Sequence, residues 1–153
     1  MSSRRRSVLA RLGSLGALLL SGVLACSTVR SDLCATVHTR VLEEQRITEE
    51  APRHVLDPHA CARHARRLRE LSEELRGLEI RDASLRMAMD SYRTQLESLS
   101  EHYAQLASAY RSRPDKRPEE DAQARDRLSR RLVDHAASMN GPRTLLKGHC
   151  DSF

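Results

Sequence analysis

From Asp57 to about Arg111, residues that suit a buried seam recur at alternating spacings of three and four without a slip. In heptad terms, position a is Cys61, Leu68, Leu75, Asp82, Met89, Leu96, Tyr103 and Tyr110. Position d is His64, Leu71, Leu78, Leu85, Tyr92, Leu99 and Leu106. All but Asp82 and His64 are Leu, Met, Tyr or Cys. Such spacing puts one stripe on one face of an α-helix and suits coiled-coil-like packing against another helix. Asp57 reads as an N-cap, with Pro58 at the first helical position. The pattern therefore predicts one helix over 58–111, roughly 80 Å long at helical rise.

The seam weakens in one place. Asp82 occupies an a position, Ile80 and Met87 fall at f positions that should face water, and Gly77 lowers helix propensity nearby. A bend, or a second segment crossing the helix there, is the favoured reading over a functional acid.

Two shorter helices flank this segment. The first is expected over about 32–50, capped by Ser31 or Asp32. Its stripe is Cys34, Val37, Val41, Glu44, Thr48 and Ala51, and Ala51-Pro52 favours a stop. The other is expected over about 118–140. Pro118 suits its first position, and Glu119, Glu120 and Asp121 complement its positive end. Leu128, Leu132, His135, Ala136 and Met139 form its stripe, and Gly141-Pro142 reads as its stop. Pro114 and Asp115 mark the connecting turn. Short turns imply antiparallel neighbours. The expected fold is thus all-α: a long central coiled-coil-like helix flanked by two shorter antiparallel helices over 32–140. The tail 141–153, with Leu145 and Leu146, is expected to pack over the otherwise uncovered middle from Leu78 to Met89.

Composition agrees with thin helical packing. The chain has no Trp and one Phe, at its last position, so the large buried areas that aromatic side chains give a thick core are missing. Val, Ile and Thr are too scattered to suggest strands.

The amino terminus carries a different signal. Arg4, Arg5, Arg6 and Arg11 precede an apolar, uncharged stretch from Leu12 to Ala25, which ends in Val23-Leu24-Ala25-Cys26. Charged, apolar and small-residue regions in that order describe a secretory signal. With a cysteine after the small residue, the segment resembles the lipobox of bacterial lipoproteins. Val23 stands at the apolar position and Ala25 at the small one. The resemblance covers residues 1–27. It implies a signal peptide over 1–25, cleavage between Ala25 and Cys26, diacylglycerol on the Cys26 sulfur and acylation of the new amino terminus. It further implies a short lipid-anchored tether over 26–31. Ser27, in place of the Asp that retains lipoproteins at the inner membrane, favours the periplasmic face of the outer membrane. Several acyl chains exceed what stable anchoring requires.

Removing the signal changes the charge argument. Of 26 Lys and Arg, four lie in residues 1–25, which hold no acid, so the mature chain carries 22 basic and 21 acidic residues. A basic surface for nucleic acid is not expected.

Cys34, Cys61 and Cys150 remain, and an exported chain can form disulfides. Reflecting Cys34 through a turn near residue 54 sets it beside about residue 75, roughly 20 Å from Cys61 at helical rise. A disulfide needs Cα atoms within about 7 Å. From Asn140, beside about residue 89, the ten residues to Cys150 span up to ~33 Å when extended. The level of Cys34 is ~20 Å away and that of Cys61 ~42 Å. Cys34–Cys150 is therefore the favoured bridge, with three reduced thiols and a loose tail as the alternative.

No catalytic constellation stands out, and an enzyme is not expected. His59, Cys61 and His64 come closest to a metal set. Cys61 and His64 share a helical face, while His59 points elsewhere. Zinc or copper would need a further ligand, such as His54 or His149. The plainer reading, a seam cysteine beside a half-exposed histidine, is preferred. No metal is expected, and no cofactor besides the covalent lipid. The sequence thus points to a non-catalytic structural, adaptor or accessory lipoprotein that presents a helical surface to a protein of the cell envelope. A second copy of the chain is another candidate partner. A periplasmic metal- or stress-sensing, chaperone-like binding protein is the alternative.

Overall fold

The computed structural model describes residues 14–111 and 118–150, with side chains from Ser31 onward. These residues fold as α-helices only: α1 (Ser14–His54), α2 (Pro58–Arg76), α3 (Ala83–Arg111), α4 (Pro118–Ser138) and α5 (Asn140–His149). The all-α expectation holds. The expected turn at Pro114 and Asp115 lies outside the described residues, as do Arg4 to Arg11.

The segment 58–111 is folded in two rather than forming one rod. α2 ends at Arg76, where the Gly77 N–H donates to Glu73 O at 3.2 Å and Leu78 N–H to Leu75 O at 3.3 Å. Asp82 then accepts from Leu85 N–H at 2.9 Å, the bond of an N-cap to the third residue of the next helix. The Arg86 guanidinium donates to the exposed carbonyl of Ile80 at 3.0 and 2.6 Å. Gly77, Ile80 and Asp82 thus belong to this turn, while Met87 lies on α3 and faces solvent.

α3 runs back along α2. Ser72 Oγ donates to Glu97 at 2.8 Å and Ser100 Oγ to Ala65 O at 2.7 Å, a falling number on one helix against a rising one on the other. The heptad stripe is thereby buried against itself. Leu68, Leu71, Leu75, Leu85, Met89, Tyr92, Leu96, Leu99, Tyr103 and Leu106 all lie in one core. The middle of the expected rod becomes the hairpin turn and the start of α3, and α5, from the expected tail, packs on α3. Leu146 of α5 joins the same core, whereas Leu145 and Met87 are exposed.

α1 packs antiparallel to α2. Arg67 donates to both oxygens of Glu43 at 2.6 and 2.8 Å, and Arg40 meets Glu74 at 2.7 Å. These bonds place Cys34 close to the level expected for it. Three boundaries differ from expectation. α1 runs through Pro52 to His54; Pro52 leaves the Thr48 carbonyl without its helical N–H, and the helix ends two residues later. Fully buried Ala51 anchors the last turn, and Val55 N–H closes it on Ala51 O. Residues 26–31, expected as a tether, are helical and continuous with α1, so neither Ser31 nor Asp32 caps a helix. The chain breaks at Met139 rather than at Gly141-Pro142, and much of the expected tail is helix α5. Pro142 is the third residue of α5, where its missing N–H would have had no helical acceptor.

The hairpin makes a direct prediction. Leu99→Asp removes a fully buried leucine, losing about 1.5–3 kcal/mol of transfer energy, and strands a charge in the core. Exposed Glu101 accepts a local bond from Gln105, so Glu101→Ala is expected to change stability by less than about 0.5 kcal/mol. Thermal melting followed by circular dichroism checks the contrast; equal effects would contradict the seam.

Candidate functional site

Where α1 ends and α2 begins, three potential ligands converge. Glu50 and His54 sit one turn apart near the end of α1, so their side chains share a face, and Glu50 Oε2 lies 3.6 Å from His54 Nε2. His64 enters from the second turn of α2, its ring 5.4 Å from that of His54 and tilted by 50°. One donor atom from each of Glu50, His54 and His64 falls within 4.8 Å of the others, and all three residues are half-buried.

The sequence builds this corner locally. Asp57 accepts from the N–H groups of His59 and Ala60 at 2.9 and 3.1 Å. The Ala60 bond foremost, then the His59 bond against slight desolvation, holds its carboxyl below the usual range. The His54 carbonyl receives Asp57 N–H at 2.9 Å and the Cys61 thiol at 3.2 Å, which fixes the end of α1. On the other side His64 rests against Tyr103, ring centres 5.4 Å apart. The Tyr103 hydroxyl in turn donates to Ile47 O at 3.2 Å. Burial, and next the neighbouring His54, lower the His64 pKa and favour the neutral ring.

The sequence candidates divide as follows. Cys61 and His64 share a face as expected, but Cys61 is committed to the His54 carbonyl. Burial, followed by Asp57, pushes its thiol up to about 11, which makes it unreactive. His59 is exposed and stands outside the three-residue group, as does His149. His54, considered as a ligand from another segment, does join His64. Glu50 was missed; its signal is the i, i+4 spacing to His54. Ala25 and Cys26 lie on the amino-terminal part of α1, whose side chains are not described.

Cys34 Sγ is bonded to Cys150 Sγ, with Cα atoms 5.5 Å apart, and Cys61 is free and buried. This bridge ties the end of α5 to α1. Beside it, wholly buried Glu44 of α1 is clasped by Arg143 of α5 at 2.8 and 2.7 Å and accepts from Tyr92 OH of α3 at 2.9 Å. A cleft of about 310 Å³ opens between α1, α4 and α5, lined by Thr48, Pro52, Val133, Ala136, Asn140 and Arg143. Its one positive group is already committed to Glu44 and Thr48. A second imidazole pair, His102 and His135, meets Nδ1 to Nδ1 at 3.1 Å. Leu42, Leu56, Met87 and Leu145 are exposed singly on different elements, as is ordinary for a protein surface. No known protein-family model, characterised protein or solved structure matches this chain.

Proposed function

We propose that this chain is a bacterial envelope lipoprotein, cleaved after Ala25 and held by acyl chains on Cys26. In this reading its helical body serves a non-catalytic structural, adaptor or accessory role on the periplasmic face of the outer membrane. The carrying observation is the order of Arg4, Arg5, Arg6 and Arg11, the apolar run to Ala25, and Cys26. The Cys34–Cys150 bridge supports it, because such a bond persists in an oxidising compartment. Among the described residues, no helix is long and apolar enough to cross a membrane. With Cys26 as the first mature residue, α1 would rise directly from the anchor, about 44 Å long at helical rise. The body would stand on a helix rather than hang on a loose tether.

Labelled palmitate fed to the producing cells is expected to enter the protein and to be absent from Cys26→Ser. Equal labelling of that variant would overturn the reading. The converging Glu50, His54 and His64 favour one second reading, a periplasmic protein that binds a metal ion through its helical body.

A further inference from the structure

We infer that Glu50, His54 and His64 form a binding site for a first-row divalent metal ion, of which zinc is the best match. The inference gives the metal-binding reading a defined site, and it stands independently of the lipid anchor.

Two imidazoles and one carboxylate are a donor set that zinc accepts, with the remaining position left to water or to a donor from another molecule. Copper and nickel bind the same nitrogens, so the site is defined by its ligands and zinc is the first probe. Metal–ligand bonds of about 2.0–2.1 Å put neighbouring donors of a tetrahedron about 3.3 Å apart. The Glu50 and His54 donors, at 3.6 Å, are already near that edge. The three donors together span no more than 4.8 Å, so small side-chain rotations close the remainder.

An ordinary ion pair accounts for Glu50 and His54, which are one helical turn apart. It does not account for His64. His64 comes from a different helix, and its ring nevertheless lies 5.4 Å from that of His54. Both rings stand on fixed ground. Asp57 N–H and the Cys61 thiol hold the His54 backbone from two sides, and Tyr103 supports the His64 ring. The ligands come from two helices, so a bound ion would clamp α1 to α2 across the turn. The half-exposed position of all three leaves an entry path.

The test is calorimetric titration of zinc into the full-length protein in detergent, stripped beforehand with a chelator. One equivalent is expected to bind, and His54→Gln and His64→Gln are each expected to weaken binding at least tenfold. Glu50→Gln, at a residue more exposed than His54 and expected to weaken binding as well, keeps the test valid if a histidine variant fails to fold. His59→Gln and His102→Gln are expected to bind as the parent does. Cobalt in place of zinc should give visible bands of a nitrogen and oxygen site with no thiolate charge-transfer band, since Cys61 is not a ligand. No zinc binding, or binding that survives both His54→Gln and His64→Gln, would overturn the site. A strong thiolate band would overturn the ligand set. Neither result touches the palmitate experiment, so failure of the site and failure of the lipoprotein reading are separable.

Discussion

Arg143→Ala is expected to cost about 3–5 kcal/mol of stability, because it leaves a buried carboxylate without its cation. Glu44 is wholly inaccessible, and only 14% of the Arg143 side chain is exposed. The pair is bidentate, at 2.8 and 2.7 Å, and Arg143 also donates to Thr48 at 2.6 Å and to Asn140 at 2.8 Å. Burial opposes the guanidinium charge, but the bonds to Glu44 outweigh it and leave the Arg143 pKa raised. Burial foremost, then the charge of Glu44, raises the Tyr92 pKa, so its hydroxyl remains a donor to that carboxylate. Among the described residues, removing Arg143 leaves Tyr92 as the side-chain donor to Glu44, too little for a charge in a low-dielectric site. The double variant Glu44→Gln with Arg143→Gln removes both charges and keeps an acceptor for Tyr92. It is expected to be more stable than Arg143→Ala alone. Exposed Arg130, paired with Asp126, supplies the contrast: Arg130→Ala should cost no more than about 1 kcal/mol. Denaturant unfolding of the three variants checks the order. A near-neutral Arg143→Ala would mean that water reaches Glu44.

That pair shows where sequence reasoning stops. Glu44 occupies a position of the α1 stripe, between Val41 and Thr48, so its burial could be read from spacing. Its partner could not, because Arg143 is 99 residues away, in a stretch expected to be tail. Nothing local marks one arginine among many as the buried one. α5 itself was hidden by Gly141-Pro142. A glycine and a proline together usually end a helix, but they can equally fill its first turn, where neither the missing N–H nor the missing side chain costs much.

The seam was legible residue by residue but not in its topology. Leu68, Leu75, Leu96 and Leu99 are buried whether 58–111 is one rod against other helices or a hairpin against itself. Burial follows from spacing, whereas the partner does not. The phase of the stripe continues from Leu78 to Leu85 across the turn, so periodicity alone gives no sign of a break. Asp82 was the available clue. Asp57 was read as a cap because Pro58 follows it, and Asp82, followed by Ala83-Ser84-Leu85, does the same work without that marker. At the α1–α2 corner, the shared face of Cys61 and His64 was readable from their spacing. The contribution of Glu50 depended on α1 running on past residue 50, which Pro52 argued against.

Removing the Cys34–Cys150 bridge by a double Cys→Ser substitution is expected to lower stability by up to about 4–5 kcal/mol in the chain-entropy model. The bridged residues are 116 positions apart, so the bond closes a long loop in the unfolded chain and excludes most of its extended conformations. The loss should therefore carry a signature that Arg143→Ala lacks. Without the bridge the unfolded ensemble expands, so the denaturant slope should rise as the midpoint falls. Arg143→Ala acts on the folded side and should move the midpoint alone. The two changes should also couple. Arg143 and Cys150 both lie at α5, and their partners Glu44 and Cys34 both lie on α1, so either bond holds the same helix for the other. Once the bridge is cut, α5 can leave α1 locally and let water reach Glu44, and Arg143→Ala should then cost less than it does in the bridged protein. Hydrogen exchange gives the independent check: amides of Asn140–His149 should lose protection first in the Cys→Ser protein, while those of α2 and α3 keep theirs. An unchanged slope with additive losses would show that the bridge decorates an α5 already fixed by its packing.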